Sequence, residues 1–293
     1  MAIAQFLRRP RPVLMGILNV TPDSFSDGGR FLDPGRALRH ALEMVGQGAD
    51  IIDVGGESTR PGAAAVDSAE QIARVVPVIA ALRLGLPATT LISIDTTQAD
   101  VAAAALSAGA DFINDVSAGL GDPAMLDLAA KRAVPIVLMH MQGTPQTMQD
   151  NPRYADVVEE VLSFLQERAA AAQAAGVAAD HIILDPGIGF GKSKADNLLL
   201  MAHLARFATL GYATLLGASR KRFMGSVCLE SRPHELVAAT VATTALGVMA
   251  GINLFRVHDV RENRQAADVA HAVKTAGKPA ATAAHSINAT KLP

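Results

Sequence analysis

A polar loop directly follows an apolar stretch near the start of the chain, within residues 13–31. The stretch begins as an apolar run of strand length, and Gly28 and Gly29 allow the loop after it to bend. The loop residues with side-chain oxygen atoms are Asn19, Thr21, Asp23, Ser24, Ser26 and Asp27. This density of oxygen suits a metal-bound anion, and Phe25 and Phe31 suit a flat organic molecule beside it. For this stretch alone, an ordinary turn stabilised by Asn, Asp and Ser side chains is the alternative.

Chemically useful side chains also end each of the later apolar stretches of strand length. In chain order they are Glu57, Ser58, Thr59, Arg60, Asp95, Asn114, Met139, His140, Asp185, Ser219, Arg220, Lys221, Arg256 and His258. Carboxylates can accept paired N–H groups from a nitrogen heterocycle, and a lysine can donate to a ring oxygen or nitrogen. The residues of that kind are Asp95, Asn114, Asp185 and Lys221. A second set, able to hold phosphate oxygens or their metal ion, comprises Asn19, Thr59, Arg60, Arg256 and His258.

The elements that must position these residues alternate along the chain. After the first strand, strands are predicted at residues 50–56, 90–95, 112–116, 135–140, 181–185, 214–217 and 254–257. Helices are predicted near residues 35–48, 68–84, 98–108, 122–132, 154–175, 195–208, 234–250 and 261–274. Eight strands alternating with eight helices, in a chain close to the ~250 residues typical of the fold, predict the α/β class and a (β/α)₈ TIM barrel.

The barrel is predicted to be a single domain over residues 12–274, because no linker interrupts the series. The tail 275–293, rich in alanine and threonine, shows no periodicity and is expected to be loosely ordered. A doubly wound open sheet is the alternative, but the glycine-rich dinucleotide fingerprint expected after its first strand is absent. In a barrel, the active site lies at the carboxyl ends of the strands, where the residues named above fall.

The composition argues against several classes of function. The chain has 26 basic and 28 acidic residues and a net charge of -2, so neither a nucleic acid nor a membrane is expected as a partner. Cys228 is the only cysteine, which excludes an intrachain disulfide and argues against a structural zinc site. Because the N-terminus lacks a secretory segment, a cytoplasmic location is expected.

Two motifs have a competing explanation that must be weighed. Residues 185–193 resemble a phosphate-binding loop, but Pro186 stands where that motif requires glycine, so binding of a nucleoside triphosphate is not expected. Asp95 could be a structural residue. Thr97 and Asp100, however, make a better cap for the helix at 98–108, which leaves Asp95 free for the site.

The two histidines at strand ends differ in their support. His258 lies two positions after Arg256, so both side chains point to the same side of the strand, which favours a site residue. His140 is left open between a buried structural histidine and a site residue. Cys228 lies past the strand-end positions and receives no role.

Five motifs resemble those of the dihydropteroate synthase family of folate biosynthesis. They are MGILNVTPDSFSD at 15–27, GADIIDVGGESTRP at 48–61, DPGIGFGK at 185–192, SRK at 219–221 and RVH at 256–258, in the family's order. The resemblance extends over about residues 12–274, with no departure at a position that the family uses for chemistry. It implies that the protein joins 6-hydroxymethyl-7,8-dihydropterin pyrophosphate to 4-aminobenzoate, giving 7,8-dihydropteroate and pyrophosphate, with Mg²⁺ as cofactor.

The resemblance also implies a role for each site residue. The pterin would be held by Asp95, Asn114, Val116, Met139, Asp185 and Lys221. The pyrophosphate would be held by Asn19, Thr59, Arg60, Arg256 and His258, with Asn19 reaching the metal ion and Asp23 as a further candidate ligand. The aminobenzoate would contact Phe25, Thr59, Arg60, Pro61, Phe190, Ser219 and Lys221. The residues expected to take part in catalysis are Asp95, Asp185, Lys221, Arg256 and His258.

The chemistry implied is the loss of a highly charged leaving group. An arylamine has a free lone pair, so no side-chain nucleophile is required, and pyrophosphate is expected to leave before the amine attacks. Two other functions compete. A methyltetrahydrofolate-type methyltransferase would share the barrel and a similar pocket, but has no use for Arg256 and His258. A non-catalytic pterin-binding paralogue would have no reason to keep the polar loops at 19–31 and 57–62.

The helix predicted at 234–250 has an unusual composition for the outside of a barrel. It contains one acidic residue, Glu235, and no lysine or arginine. An outer helix of a monomeric barrel normally presents a charged face to water. We therefore predict that this helix is buried against a second copy in a two-fold homodimer, as the resemblance also implies.

Overall fold

Parallel pairing connects eight strands into a closed barrel, with β8 returning to pair with β1. The computed structural model of the chain describes residues 6, 9–21, 33–58, 62 and 66–276. The strands are β1 (Val13–Asn19), β2 (Ile51–Gly55), β3 (Leu91–Asp95), β4 (Phe112–Asp115), β5 (Ile136–Met139), β6 (Ile182–Asp185), β7 (Ala213–Leu216) and β8 (Leu254–Val257). The predicted (β/α)₈ barrel is confirmed.

Helices surround the barrel and follow the strands in order. They are α1 (Pro34–Gly46), α2 (Ser68–Gly85), α3 (Ala99–Ala108), α4 (Met125–Arg132), α5 (Val157–Ala174), α6 (Lys194–Ala202), α7 (Leu204–Ala208), α8 (Arg222–Cys228), α9 (Val237–Ala250) and α10 (Val260–Ala276). None of them, within the ranges that the structure describes, is long and apolar enough to span a bilayer. The order of the tail stays a prediction, since residues 277–293 lie outside the described part of the chain.

Two details of the helices differ from the sequence-based expectation. The helix expected at 195–208 is two helices, because the chain leaves helical geometry at His203, which ends α6 and precedes α7. Thr97 does not cap α3, whose N-cap residue is Gln98 without a side-chain cap bond. The N–H of Ala99 is instead satisfied by a carboxylate from the next connection, Asp122, at 2.9 Å. Local sequence could not reveal this cap, because its donor and acceptor belong to different loops.

The interior of the barrel consists of an apolar layer below a polar one. The apolar layer is formed by Phe6, Val13, Met15, Ile51, Phe112, Val137, Ile183, Leu215 and Leu254. Side chains two positions apart on a strand point to the same side, so the residues two places later also face the interior. On β2, β4, β6 and β8 these are Asp53, Asn114, Asp185 and Arg256. The strand order thus sets charged and amide groups on an apolar floor at the carboxyl end of the barrel.

Candidate active site

An arginine and two aspartates form an ion-pair network at the centre of the barrel mouth. Arg256 donates from Nε to Asp53 Oδ2 and from Nη2 to Asp95 Oδ2, each at 2.6 Å. Burial opposes the charge of Arg256, but the carboxylates of Asp53 and Asp95 outweigh it and raise its pKa. Burial raises the pKa of Asp95, and Asp53 adds to this effect, while Arg256 acts in the opposite direction. The network therefore presents one permanent cation beside two carboxylates.

Asp53 is a central residue of this network that the sequence-based site did not include. Its side chain is fully buried and accepts hydrogen bonds from Ser93 and, at 3.1 Å, from Asn114 Nδ2. It thereby orients both Asn114 and Arg256. The signal that could have identified it is an acidic residue inside the apolar run 51–55, because a buried carboxylate is rare unless it is paired.

Asp185 ends β6 with its carboxylate held by the loop that follows. Its Oδ1 accepts the N–H of Gly187 at 2.7 Å, and its side chain is only 5% exposed. Burial raises the pKa of Asp185 to about 6, although the Gly187 bond and the charge of Lys221 act in the opposite direction. A methyl group on Gly217 would lie 3.6 Å from Asp185 Oδ2, so the glycine in β7's exit leaves open space beside this carboxylate. The carboxylate can accept paired N–H donors in that space.

Lys221 follows β7 and covers an aromatic ring. Its Nζ sits 3.8 Å from the centroid of the Phe190 ring, within the range of a cation–π contact. Burial and the charge of Arg256 lower the pKa of Lys221 to about 8, although Asp185 acts to raise it. Lys221 therefore remains mostly protonated at neutral pH.

A small apolar cluster forms one wall of the mouth, separate from the main core. It consists of Val116, Met139, Met148 and Phe190, with Met141 packed against it. Val116 and Met139, expected to hold the pterin, thus lie in one cluster with Phe190, expected on the aminobenzoate side. Met148 was missed, because it lies in the connection after β5, where no periodicity marks a buried residue.

The ends of β7 and β8 are joined by Ser219 and His258. Ser219 Oγ lies 3.0 Å from His258 Nδ1, and the backbone N–H of His258 donates to Ser219 Oγ at 3.2 Å. Between Ser219 and Lys221, Arg220 adopts a left-handed backbone with φ of 57°. Its N–H donates to Thr240 on α9 at 3.0 Å, and its guanidinium pairs with Asp259. Arg220 thus holds the turn that places Ser219 and Lys221 at the mouth, while its own side chain pairs with Asp259.

Asn19 ends β1 with its amide oxygen close to the ion-pair network. A methyl group on Gly55 would lie 3.6 Å from Asn19 Oδ1 and 3.7 Å from Asp95 Oδ2, so both oxygens border the same space. Among the described residues, no three Asp, Glu, His or Cys side chains are grouped closely enough to hold a metal ion alone. The amide oxygen of Asn19 is one donor of the kind that Mg²⁺ takes together with water and substrate phosphates, and the magnesium site stays a prediction.

The structure assigns other functions to several strand-end residues. Glu57 accepts the N–H of Val66 at 2.9 Å, which anchors the connection after β2. His140 is buried against Phe164, at 4.8 Å between ring centroids, and contacts the ammonium of Lys192. The question left open for His140 is thereby answered in favour of a structural residue. Cys228 is exposed at the end of α8.

Five predicted site residues lie outside the part of the chain that the structure describes. They are Asp23, Phe25, Thr59, Arg60 and Pro61. Their assignments to the metal ion, the pyrophosphate and the aminobenzoate therefore stay predictions. The remaining predicted residues all lie at the carboxyl end of the barrel.

Comparison with known proteins agrees with this site. The family model described as pterin binding enzyme matches residues 15–258. The dihydropteroate synthase of Synechocystis sp. is 46% identical over 265 residues, which cover 90% of this chain and 90% of that protein. The Xanthomonas albilineans dihydropteroate synthase with 4-aminobenzoic acid superposes with a TM-score of 0.84, at 47% identity over 93% of this chain and 95% of that one. The same enzyme in complex with 7,8-dihydropteroate gives a TM-score of 0.81, at 43% identity over 93% of this chain and 96% of that one. The chain therefore belongs to the pterin binding enzyme family, among the dihydropteroate synthases.

Proposed function

We propose that this protein condenses 6-hydroxymethyl-7,8-dihydropterin pyrophosphate with 4-aminobenzoate, giving 7,8-dihydropteroate and pyrophosphate. The observation that carries the proposal is the single mouth that combines two buried carboxylates, Asp95 and Asp185, with the cations Lys221 and Arg256. Such a site can hold a nitrogen heterocycle and a polyanion side by side. The relatives named above support it, since one binds 4-aminobenzoic acid and 7,8-dihydropteroate.

The pterin is assigned to the space between β3, β4 and β6. Asp95, Asn114 and Asp185 offer acceptors and an amide donor there, and all three are buried against the apolar floor. Water competes poorly for hydrogen bonds in such a place, so paired N–H groups of a pterin bind with defined orientation. The apolar wall of Val116 and Met139 covers a ring face.

The pyrophosphate is assigned to Asn19, Arg256 and His258 at the ends of β1 and β8, together with Thr59 and Arg60. Mg²⁺ would be held by Asn19, with Asp23 as a further candidate, and would supply positive charge to the leaving phosphate oxygens. The aminobenzoate is assigned to the side of Phe190, Ser219 and Lys221, together with Phe25, Thr59, Arg60 and Pro61. These assignments follow the family motifs at 15–27, 48–61, 185–192, 219–221 and 256–258.

The reaction breaks one C–O bond and forms one C–N bond. The methylene carbon of the pterin releases the pyrophosphate oxygen, which keeps the electron pair, and Arg256 and His258 stabilise the charge that develops on it. Asp95 and Asp185 favour the cation left on the pterin. The arylamine lone pair then attacks this carbon, and the amine nitrogen loses one proton to solvent or to pyrophosphate. Orientation and charge, rather than a covalent nucleophile, carry the catalysis.

The direct test of the proposal is an assay of pyrophosphate release. Release should require both the pterin pyrophosphate and 4-aminobenzoate, and should stop when Mg²⁺ is removed with a chelator. A methyltransferase or a non-catalytic pterin-binding protein would bind a pterin without releasing pyrophosphate. Absence of release with both substrates and Mg²⁺ present would overturn the proposal.

Lys221 is expected to contribute to both organic subsites, because its ammonium contacts the ring of Phe190 and interacts electrostatically with Asp185. Lys221→Ala should lower kcat/KM by more than about tenfold, roughly 1.4 kcal/mol of transition-state binding. Steady-state kinetics with each substrate varied in turn would measure the loss. Near wild-type values for both substrates would contradict the assignment.

A homodimer is proposed through the faces of α9 and α10. Leu246 and Met249 on α9 are 60% and 49% exposed, and Val269 and Val273 on α10 are 65% and 61% exposed. The two helices pack side by side, so these side chains form one apolar surface. Exposed apolar surfaces of this kind commonly mark interfaces between subunits.

A cytoplasmic location is also proposed, supported by the single cysteine.

The dimer should be disrupted by charge on this surface. Sedimentation at micromolar concentration should give twice the chain mass for the wild type, and Leu246→Glu should shift the protein toward the monomer, because a buried unpaired charge is costly. Leu199→Glu is the matched control, since Leu199 is 48% exposed on α6, away from α9. A wild-type protein that sediments as a monomer would refute the proposal.

A further inference from the structure

The loop after β6, residues 186–191, closes around the ammonium group of a buried lysine. Lys192 is 3% exposed, and its Nζ donates to the carbonyl oxygens of Gly187 and Phe190, at 2.9 Å each. The same nitrogen lies 2.8 Å from His140 Nδ1 and 3.3 Å from the carbonyl oxygen of His140. Four acceptors from two connections therefore converge on one cation.

This arrangement is the inverse of a phosphate-binding loop, which residues 185–193 resemble in sequence. A phosphate loop points backbone N–H groups at an anion. Here Gly187, Gly189 and Gly191 have φ of 66°, 85° and 61°, and the loop turns carbonyl oxygens toward a cation within the chain. The glycines and lysine of this motif thus form an internal tie, the set of hydrogen bonds from Lys192 to the loop, rather than a site for a bound nucleotide.

Burying an ammonium group costs free energy unless its N–H groups are hydrogen-bonded, so its partners must be well placed. Burial lowers the pKa of Lys192 to about 7, while the carboxylate of Asp185 acts to raise it. Burial and the nearby Lys192 lower the pKa of His140 to about 3, so the imidazole is neutral and its Nδ1 can accept a hydrogen bond. The three N–H groups of the ammonium are thereby matched by acceptors.

The tie acts on the part of the loop that borders the site. The ring of Phe190 lies beneath the ammonium of Lys221, and a methyl group on Gly189 would lie 2.9 Å from Lys221 Cδ. The N–H of Gly189 is also held, at 2.7 Å, by Asn197 Oδ1. Any change in the path of this loop would move the Phe190 ring and displace the Lys221 stem.

We propose that Lys192 is a positioning residue for the aminobenzoate side of the site. It holds Phe190, and through Phe190 the side chain of Lys221, without touching a substrate. The inference rests on the function proposed above, because it takes Phe190 and Lys221 as the residues that border 4-aminobenzoate. Lys192 is thus predicted to affect recognition of the second substrate more than that of the first.

The first experiment compares Lys192→Met with Lys194→Met. Methionine keeps the length of the buried stem and removes the ammonium, whereas Lys194 is an exposed lysine that donates to the carbonyl oxygen of Ser226. Lys192→Met should raise KM for 4-aminobenzoate about tenfold or more, since small misplacements in a site are costly. It should raise KM for the pterin pyrophosphate by a smaller factor, because Gly187, which Lys192 also holds, donates to Asp185. Lys194→Met should match the wild type. An equal change in both KM values, or no change, would overturn the proposal.

The second experiment asks whether Lys192 acts through Phe190. In a Phe190→Ala background the ring is gone, so adding Lys192→Met should raise KM for 4-aminobenzoate by no more than about twofold further. Effects of the two substitutions that multiply independently would show that Lys192 acts by another route, and would overturn the proposal. If Lys192→Met does not fold, Lys192→Gln retains N–H donors for the loop and is measured in its place.

The third experiment does not depend on enzymatic activity. The chain has no tryptophan, so Phe190→Trp introduces a single tryptophan at the loop, whose emission is excited selectively over that of the two tyrosines. Adding Lys192→Met should shift its emission to longer wavelength and increase quenching by acrylamide, while adding Lys194→Met should leave both unchanged. Identical spectra in all three proteins would overturn the positioning role. If the protein released no pyrophosphate, the proposed function would fail, but this measurement would still decide whether Lys192 holds the loop.

Discussion

Arg256→Met should lower kcat/KM by about a thousandfold, roughly 4 kcal/mol of transition-state stabilisation. Arg256 is proposed to bind pyrophosphate, and it also contacts Asp95, a carboxylate proposed to bind the pterin. Its removal takes a permanent cation from the leaving group and leaves Asp53 and Asp95 without the partner that each contacts at 2.6 Å. Both losses disfavour expulsion of pyrophosphate, so the effect should fall on kcat as well as on KM.

A loss of folding must be separated from a loss of catalysis in this variant. Removing one member of a buried ion pair destabilises proteins by about 3–5 kcal/mol, so thermal unfolding is to be measured beside the kinetics. Arg206→Met is the control for the substitution itself, because Arg206 is exposed and pairs with Glu159 on the outer surface. A folded Arg256→Met protein that retains more than about a tenth of wild-type kcat/KM would exclude a role in charge stabilisation.

Asp185→Asn should lower kcat by about a hundredfold to a thousandfold while leaving the fold intact. The amide oxygen of asparagine can still accept the N–H of Gly187, which the carboxylate accepts at 2.7 Å. The negative charge that would favour the pterin cation is lost, and one oxygen proposed to accept a pterin N–H is replaced by an amide nitrogen that donates. The variant thus separates the charge and hydrogen bonding of this carboxylate from the shape of the pocket.

The pH dependence gives this prediction a second measurement. Asp185 must be ionised to act, and burial raises its pKa to about 6, so wild-type kcat/KM should fall as the pH drops below 6. Lys221 must be protonated, and burial lowers its pKa to about 8, so kcat/KM should also fall as the pH rises above 8. In Asp185→Asn the acid limb should become less steep, because only Asp95, whose pKa burial raises to about 7, still has to lose a proton, and the alkaline limb should remain. An unchanged acid limb would mean that a group other than Asp185 causes it. Titration of the free substrates over the same pH range is the control.

The sequence by itself determined the barrel and the edge at which its chemistry lies. Apolar strands and helices repeat with local periods, and no linker interrupts the series, so their order already specifies a closed parallel barrel. In that fold every strand presents its last residues at one end. Asn19, Asp95, Asp185 and His258 could therefore be assigned to one mouth without coordinates.

Only the tertiary structure decided which of these groups contact each other. Arg256 pairs with Asp53 and Asp95, which are 203 and 161 residues distant in the chain, and no local pattern encodes such a pairing. The same limit explains why Asp53 was overlooked, since it looked like one polar residue in a buried strand. It also explains the helix cap from Asp122, which comes from another connection.

The clearest case is Lys192, whose neighbours in sequence suggested a phosphate site. The glycine pattern fixed that the loop must bend, because Gly187, Gly189 and Gly191 adopt backbone angles that other residues rarely reach. It could not fix which way the carbonyl and N–H groups would point. That depended on His140, which β5 brings within 2.8 Å of the ammonium from 52 residues away. Backbone geometry is set locally, whereas the partner that satisfies a buried charge is set by the packing of distant segments.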